Sequence, residues 1–176
     1  MKRSKWRPTL IGRPDTETPR SWLTETGSLT ARCQRSCRSF RVRLLRFDKG
    51  QALADEAVEG GCDGELAWVR EVVLECDGRP VIFAHTTLAA SGNGRLTRWM
   101  ARLGTRSLGS LLFAYPGFER GRIEFLRLDA RHPLYHRAAA LCTPSGSLWA
   151  RRSLHRLGTQ QVLVTEVFLP AIHDLV

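Results

Sequence analysis

The chain has 176 residues, of which 43% are hydrophobic and 25% are charged, and this balance is typical of a globular domain and not of a disordered chain. No apolar run approaches the ~20 residues that cross a bilayer, and no apolar stretch follows the basic N-terminus as it would in a signal peptide. We therefore expect a soluble, cytoplasmic protein without an integral membrane segment.

The formal net charge is +10, and the basic residues are nearly all Arg, since Lys occurs only at positions 2, 5 and 49. Three explanations compete: binding of nucleic acid, attraction of a small anionic substrate, and a genome that encodes Arg in place of Lys. The arginines are scattered through amphipathic segments, and no nucleic-acid-binding motif is present. We therefore expect no nucleic-acid partner.

Metal binding is not favoured by the Cys and His spacings. The five cysteines are odd in number and lack paired metal-site spacing, so reduced structural thiols are expected in a cytosolic protein. His132 and His136 have a spacing that can bind metal on a helix, but Pro133 lies between them and no third ligand is near in sequence. We predict no metal site.

The N-terminal segment, residues 1–17, is basic and is broken by two prolines. It is predicted to be an irregular arm over the surface, tethered by Trp6 and Ile11. Residues 18–176 are predicted to form a single domain.

The elements of that domain follow from caps, breakers and hydrophobic periodicity. Ser28 and Ser107 are predicted helix N-caps, and Gly104 ends an amphipathic helix. The predicted elements are a short helix from Pro19 to Gly27, helices from Leu29 to about Cys37, from Leu96 to Leu103 and from Leu108, a strand over Phe40–Leu44, a hairpin over Leu66–Leu88, and strands over Arg122–Leu128, Leu148–Leu157 and Gln161–Leu169.

Between these elements, Asp48–Glu65 is predicted to be a connection with at most one helical turn, Ser91–Gly94 is a break, and Ala130–Gly146 is ambiguous. The helices cluster early and in the middle, and the strands run in hairpins. This order predicts the α+β class with an antiparallel sheet.

The hairpin presents the first candidate for function. Its turn is Asp77-Gly78, and alternation places Arg70 on one strand face with Trp68, Val72 and Leu74. A guanidinium stays charged, and a buried unpaired charge is costly. We therefore expect an anion beside Arg70, either a carboxylate of the protein or one brought by a ligand.

The last strand presents the reciprocal case, because Glu166 shares an apolar face with Val162, Val164 and Phe168. Arg70 and Glu166 could pair as a buried structural ion pair. Such pairs rarely stabilise more than apolar residues would. The alternative is that a ligand separates them, with Arg70 on its anionic group and Glu166 on a polar or reacting group.

Two helix starts resemble each other, since Ser28-Leu29 and Ser107-Leu108 both place a Ser N-cap before a Leu. The first amides of a helix lack internal partners and favour anions. Together with Arg70 they suggest a carboxylate pocket with apolar walls.

Four blocks give the chain a family resemblance: WVREVVLECDGRPVIFAHTTL (68–88), LGTRSLGSLLF (103–113), LWARRS (148–153) and VTEVFLP (164–170), with SWLTETGSLT (21–30) before them. In these blocks the sequence resembles the chorismate pyruvate-lyase family, bacterial enzymes that make 4-hydroxybenzoate for ubiquinone. The likeness spans most of residues 18–170.

The resemblance implies an antiparallel six-stranded sheet with helices on one side, and conversion of chorismate to 4-hydroxybenzoate and pyruvate without metal or organic cofactor. It also implies site residues. The family's carboxylate-binding Arg falls on Arg70, its two carboxylate-binding backbone amides fall on Leu29 and Leu108, and its Glu near the ring hydroxyl falls on Glu166. These residues carry the expected binding and, for Arg70 and Glu166, catalytic roles.

His85 departs from the family pattern, because many members have a second basic residue there. It is a weaker, pH-dependent cation and is a possible secondary site residue.

The alternative function is a non-catalytic aromatic-acid-binding domain, since the fold also resembles the effector domains of some bacterial transcription regulators, although no helix-turn-helix segment is seen before it. We expect a monomer whose partners are chorismate and 4-hydroxybenzoate.

Overall fold

A computed structural model describes residues 5–12, 18–56, 66–90 and 94–175 of the chain. Within these residues the protein is built on one antiparallel sheet of seven strands with helices packed against it. The predicted α+β class and antiparallel sheet are confirmed. The sheet has one strand more than the six expected, and its shortest strand has only two residues.

The helices and strands have the following bounds. The helices are α1 (Arg20–Leu23), α2 (Leu29–Ser36), α3 (Arg95–Leu103), α4 (Leu108–Ala114) and α5 (Pro133–Ala139), and a 3₁₀ helix covers Pro170–Asp174. The strands are β1 (Phe40–Gln51), β2 (Leu66–Cys76), β3 (Arg79–Ala89), β4 (Glu119–Arg120), β5 (Glu124–Leu128), β6 (Leu148–Leu157) and β7 (Gln160–Phe168).

The sheet order is β1-β2-β3-β7-β6-β4, and β5 also pairs with β6. Thus β7, the last strand in the chain, lies at the centre of the sheet between β3 and β6. This order brings the predicted site residues of β2 and β7 onto the same sheet, with β3 between them.

The turn of the β2–β3 hairpin has the predicted geometry. Asp77 has a φ of 50° and Gly78 a φ of 77°, and a two-residue hairpin turn of this kind needs positive φ at both positions. The hairpin prediction is therefore confirmed, and it fixes which residues of β2 and β3 face each other.

Both faces of the sheet are covered. On one face, helices α1 and α2 pack against β2, β3 and β7 through Trp22, Leu29, Val72 and Phe168. On the other, Val73, Phe83 and Val167 contact Trp6 and the α5 residues Leu134 and Ala138. The expectation of helices on one side therefore holds for α1, α2, α3 and α4 but not for α5. The reason is that β2 and β3 carry buried side chains on both faces, so both faces need cover.

Several predicted bounds shift. The first helix ends at Leu23 and not at Gly27, and β1 continues to Gln51, beyond the predicted Leu44 and into the predicted connection. The rest of that connection from residue 57 to 65, and the break at residues 91–93, lie outside the described residues. The ambiguous segment contains α5, which begins with Pro133 as its first residue.

The N-terminal segment packs against both cores, Trp6 on the second face and Leu10 on the first. Trp6 is buried and its Nε1 donates to Asp55 Oδ2 at 2.7 Å, while Arg7 forms a β-bridge with Phe125. Leu10 is buried, whereas Ile11 is 57% exposed, so Leu10 replaces Ile11 as the second anchor. No helix in the described part of the chain is long and apolar enough to cross a membrane.

Candidate active site

A cavity lies between the sheet and the helix starts of α2 and α4. Its floor is formed by the residues of β2, β3, β7 and β6 that point to this face, and Leu29, Leu108 and Leu112 close it from above. Its polar and charged lining consists of Thr30, Arg70, Thr86, Ser107, Arg120, Arg151, Ser153, His155 and Glu166.

Arg70 is buried in this cavity, with 2% of its surface exposed. Its Nη2 donates to the carbonyl oxygens of Gly104 at 3.0 Å and Arg106 at 2.8 Å, which ties it to the α3–α4 connection. No described carboxylate pairs with it, and burial lowers the pKa of its guanidinium to about 10. It is therefore still a cation at neutral pH, and no described group compensates its charge.

Glu166 lines the same cavity but does not pair with Arg70. Its Oε2 accepts from Arg151 Nε at 2.7 Å. The register explains this pairing, because Arg151 on β6 lies directly opposite Glu166 on β7, whereas β2 is two strands away from β7, about 10 Å. Of the two interpretations of Arg70 and Glu166, the mutual ion pair is wrong.

The two predicted helix starts meet at the cavity. Ser28 accepts from Ala31 N at 3.3 Å and Ser107 from Ser110 N at 3.4 Å, so both predicted N-caps are confirmed. A hydrogen bond of 2.5 Å between the hydroxyls of Thr30 and Ser107 joins the two helix starts. The first helical residues, Leu29 and Leu108, thus lie side by side over the floor of the cavity.

Among the cavity residues that sequence reasoning missed are four on β4 and β6, namely Arg120, Arg151, Ser153 and His155. Arg151 donates through Nη1 to the carbonyl oxygens of Leu23 and Glu25, in addition to its bond with Glu166. Arg120 donates through Nε to Ser153 Oγ at 3.1 Å and through Nη1 to Thr26 O at 2.8 Å.

His155 extends this group, since its Nε2 lies 3.1 Å from Ser153 Oγ. Burial, and then the nearby charges of Arg120 and Arg151, lower its pKa to about 4, so it is a neutral imidazole at neutral pH. A signal for these residues existed in the sequence: Arg151, Ser153 and His155 alternate along a predicted strand. The two-residue β4 carries no such pattern.

His85 does not line the cavity. It points to the opposite face of the sheet, where its Nδ1 lies 2.8 Å from Glu71 Oε1 and its Nε2 lies 3.0 Å from Glu56 Oε1. Arg137 of α5 also contacts Glu71. Burial disfavours the imidazolium, but contacts with Glu56 and Glu71 outweigh burial and raise the pKa of His85.

His132 and His136, the two histidines with metal-type spacing, have separate hydrogen-bond partners. His132 Nε2 lies 3.1 Å from Asp55 Oδ2, while His136 Nε2 lies 2.7 Å from the carbonyl oxygen of Ala130. In the part of the chain that the structure describes, no three His, Cys, Asp or Glu side chains converge as metal ligands.

Solved structures resemble this fold. The C-terminal domain of the histidine utilization repressor from Pseudomonas syringae matches with a TM-score of 0.56 at 9% identity, over 77% of this chain and 94% of that chain. The effector domain of PhnF from Mycobacterium smegmatis matches with a TM-score of 0.55 at 19% identity, over 82% of this chain and 89% of that chain. At these identities the likeness concerns the fold alone.

Sequence relatives are much closer. A protein of Dechloromonas aromatica named "Probable chorismate pyruvate-lyase" is 74% identical over 98% of both chains. A protein of the same name from Methylobacillus flagellatus is 42% identical over 89% of both chains. Another, from Nitrosospira multiformis, is 43% identical over 98% of this chain and 96% of that protein. The family profile described as "Chorismate lyase" matches residues 3–176. The chain therefore belongs to the chorismate lyase family.

Proposed function

We propose that this protein is a chorismate pyruvate-lyase, which eliminates pyruvate from chorismate to give 4-hydroxybenzoate, the first step toward ubiquinone. Family membership over nearly the whole chain supports this proposal. A small anionic aromatic substrate also fits a cavity with apolar walls and a few convergent polar groups.

The observation that carries the proposal is the buried and uncompensated charge of Arg70. Burying a cation without a counter-ion is costly, and proteins normally supply a carboxylate. Here the described residues supply only two carbonyl oxygens. A ligand carboxylate would supply the missing negative charge, and the Nε and Nη1 of the guanidinium, which have no described partner, remain to donate charge-assisted hydrogen bonds.

The other site residues have complementary roles in this proposal. The backbone amides of Leu29 and Leu108, at the positive ends of their helices, would hold the same ring carboxylate as Arg70. Glu166, anchored by Arg151, would bind the ring hydroxyl. No ligand contact is assigned to His85, because it lies on the other face of the sheet.

The chemistry can proceed by two routes. Chorismate loses a ring hydrogen while the bond from the ring to the enolpyruvyl oxygen breaks. The ring becomes aromatic, and enolpyruvate takes up a proton to give pyruvate. Glu166 could remove the hydrogen as a base. Alternatively the hydrogen passes directly to the enolpyruvyl methylene, and the protein then acts by holding the substrate in its reactive shape.

The surroundings of the reaction are also part of the proposal. We expect the protein to act in the cytoplasm as a monomer, with chorismate and 4-hydroxybenzoate as its partners, without nucleic acid and without a cofactor. Size-exclusion chromatography with light scattering tests the oligomeric state, and assays with and without a chelator test the need for metal.

The decisive experiment mixes purified protein with chorismate and follows 4-hydroxybenzoate and pyruvate by chromatography. Equal amounts of both products, formed above the spontaneous rate, are expected. Absence of turnover while 4-hydroxybenzoate still raises the thermal stability would replace the lyase with an aromatic-acid-binding domain. Absence of both turnover and binding would reject the cavity as a functional site.

A further inference from the structure

We infer that Arg120, held by Ser153, binds the second carboxylate of the substrate, the one on the enolpyruvyl group. This inference deepens the proposed function and rests on it for the identity of the ligand. Neither Arg120 nor Ser153 belongs to the set of residues that the family resemblance assigns to the product.

The first argument is the charge balance of the cavity. Its described lining contains three guanidinium groups, on Arg70, Arg120 and Arg151, and one carboxylate, on Glu166. His155 adds no charge at neutral pH, because burial and the neighbouring arginines hold its pKa near 4. The lining therefore carries a net charge of +2, which a dianion such as chorismate neutralises and the monoanion 4-hydroxybenzoate does not.

The second argument separates Arg120 from Arg151. Arg151 is already paired with Glu166, and its Nη1 is bonded to two backbone carbonyl oxygens. Arg120 donates only to uncharged acceptors, Ser153 Oγ and Thr26 O, and no described carboxylate forms a salt bridge with it. Glu166 and Glu25 lie near enough to favour its charge, but neither is bonded to it. Like Arg70, it is therefore a cation at the cavity without a salt-bridge partner among the described residues.

The third argument is the placement of the two unpaired cations. Arg70 lies on β2 and Arg120 on β4, and β3, β7 and β6 lie between them in the sheet. Four strand spacings separate the two backbones by about 19 Å. Because both side chains extend into the cavity, their guanidinium groups are closer together than the backbones are. The two cations therefore lie at opposite ends of the cavity.

The position of Glu166 agrees with this orientation. Glu166 lies on β7, midway between β2 and β4 in the sheet. Its carboxylate, however, is bonded to Arg151 on β6, beside β4, and lies near enough to Arg120 to favour the charge of that guanidinium, so it is directed to the Arg120 side of the cavity. In chorismate the hydroxyl and the enolpyruvyl ether are on neighbouring ring carbons, far from the ring carboxylate. With the ring carboxylate on Arg70 and the hydroxyl on Glu166, the enolpyruvyl group faces Arg120.

The inference gives Arg120 a role in discriminating substrate from product. After elimination, one negative charge stays on 4-hydroxybenzoate at Arg70 and the other leaves with pyruvate. Arg120 should therefore contribute to the binding of the dianion and hardly at all to the binding of 4-hydroxybenzoate.

The test compares two stable ligands by calorimetry. One is 4-hydroxybenzoate with a carboxymethoxy group on the carbon next to the hydroxyl, and the other is the same compound with that second carboxylate replaced by a primary amide. The wild-type protein should bind the dianion about 10- to 100-fold more tightly than the amide, as expected for a hydrogen-bonded ion pair.

Arg120→Gln should reduce this preference to about threefold or less, while the affinity for the amide changes by less than about threefold. Arg122→Gln is the matched control, because Arg122 is an exposed arginine two residues away that does not line the cavity. It removes the same charge and should leave the preference unchanged. If Arg120→Gln does not fold, Arg120→Lys replaces it and should lower the preference at least threefold by losing the planar fork.

Two outcomes would overturn the inference: a preference that survives in the folded Arg120 variant, or an equal loss of affinity for both ligands, which indicates a structural role. Chorismate turnover, measured on the same preparations, tests the proposed function separately. If the wild-type protein converts chorismate but Arg120→Gln keeps the preference for the dianion over the amide, only the inference is rejected. If the wild-type protein does not convert chorismate but the preference depends on Arg120, only the lyase activity is rejected.

Discussion

At the level of single residues, Arg70 and Arg151 are buried guanidinium groups in different electrostatic situations. Both expose 2% or less of their surface, but Arg151 is neutralised by Glu166 and Arg70 by no described carboxylate. The structure stabilises Arg151 internally, whereas a ligand would stabilise Arg70. Their replacements should therefore have different consequences.

Arg70→Gln should weaken the binding of 4-hydroxybenzoate about 100-fold or more, because the ligand carboxylate loses both the positive charge and its charge-assisted hydrogen bonding. Isothermal calorimetry measures the affinity, and Arg122→Gln again controls for the loss of one positive charge. A loss of less than about tenfold would show that another group anchors the carboxylate.

Glu166→Gln should lower the free energy of unfolding by roughly 3 kcal/mol, because it leaves the buried Arg151 without its counter-ion. The double variant Glu166→Gln with Arg151→Gln should recover part of this loss, since it removes both charges. Urea denaturation measures the three unfolding free energies. Additive effects of the two substitutions would mean that the ion pair does not couple them.

The same Glu166→Gln variant separates the two chemical routes, provided that it is assayed where it is fully folded. If Glu166 is the base, kcat should fall about 100-fold or more, because the amide cannot accept the ring hydrogen. A kcat close to wild type, measured by 4-hydroxybenzoate formation, would leave the internal hydrogen transfer as the route and Glu166 as a binding residue.

At the level of elements, the β2–β3 hairpin aligns the floor of the cavity. Its tight turn depends on Gly78, which has a φ of 77°, and a Cβ atom added at this position would have no neighbouring atom within 4 Å. A side chain there would meet no steric obstacle beyond the backbone conformation itself. The hairpin thus provides a clean test of turn strain.

Gly78→Ala should destabilise the protein by about 1 kcal/mol, since a non-glycine residue in the left-handed region is strained. Gly146→Ala is the matched control, because Gly146 also has open space around it and its φ is not positive. Chemical denaturation compares the two variants. If both substitutions lower the free energy of unfolding equally, strain in the turn is not the cause of the loss at Gly78.

At the level of the whole molecule, a buried charged cluster on the second face joins the sheet to α5 and to the segment after β1. It consists of His85, Glu71, Glu56 and Arg137. Contacts with the two glutamates raise the pKa of His85 despite its burial. For Glu71, burial alone would raise the pKa, but His85 and Arg137 outweigh burial and lower it.

These shifts predict opposite pH dependences. A raised folded-state pKa means that His85 contributes stability below its ordinary value of 6.5 and loses this contribution as the pH rises through the folded pKa. Glu71 contributes above its ordinary value of 4.5 and loses this contribution as the pH falls through its lowered pKa. The cluster should therefore be most stabilising between these two values.

Replacing His85 by Asn should make the free energy of unfolding depend less on pH above 6.5, because the titrating imidazole is gone. Denaturation of both proteins from mildly acidic to mildly alkaline pH measures the difference. His136→Asn controls for loss of an exposed histidine. A gap between wild type and the His85 variant that is constant across this range would show that His85 does not change its protonation with folding.

The sequence by itself determined the local features of this protein. The alternation of residues in β2, β6 and β7, the Asp77-Gly78 turn and the serine caps before Leu29 and Leu108 are properties of neighbouring residues, and the structure has each of them. The four family blocks likewise identified the family. These features were predictable because they depend on backbone conformation and on contacts that are short in sequence.

Only the tertiary structure decided which charges meet. The order of the strands places Arg151 opposite Glu166 and leaves Arg70 two strands away from it, and it turns His85 to the face opposite the cavity. It also brings Arg120, from a strand of two residues, to the far end of the same cavity. Strand order and register depend on packing between distant segments, so the partner of a buried charge is fixed by the assembled sheet and not by the local sequence.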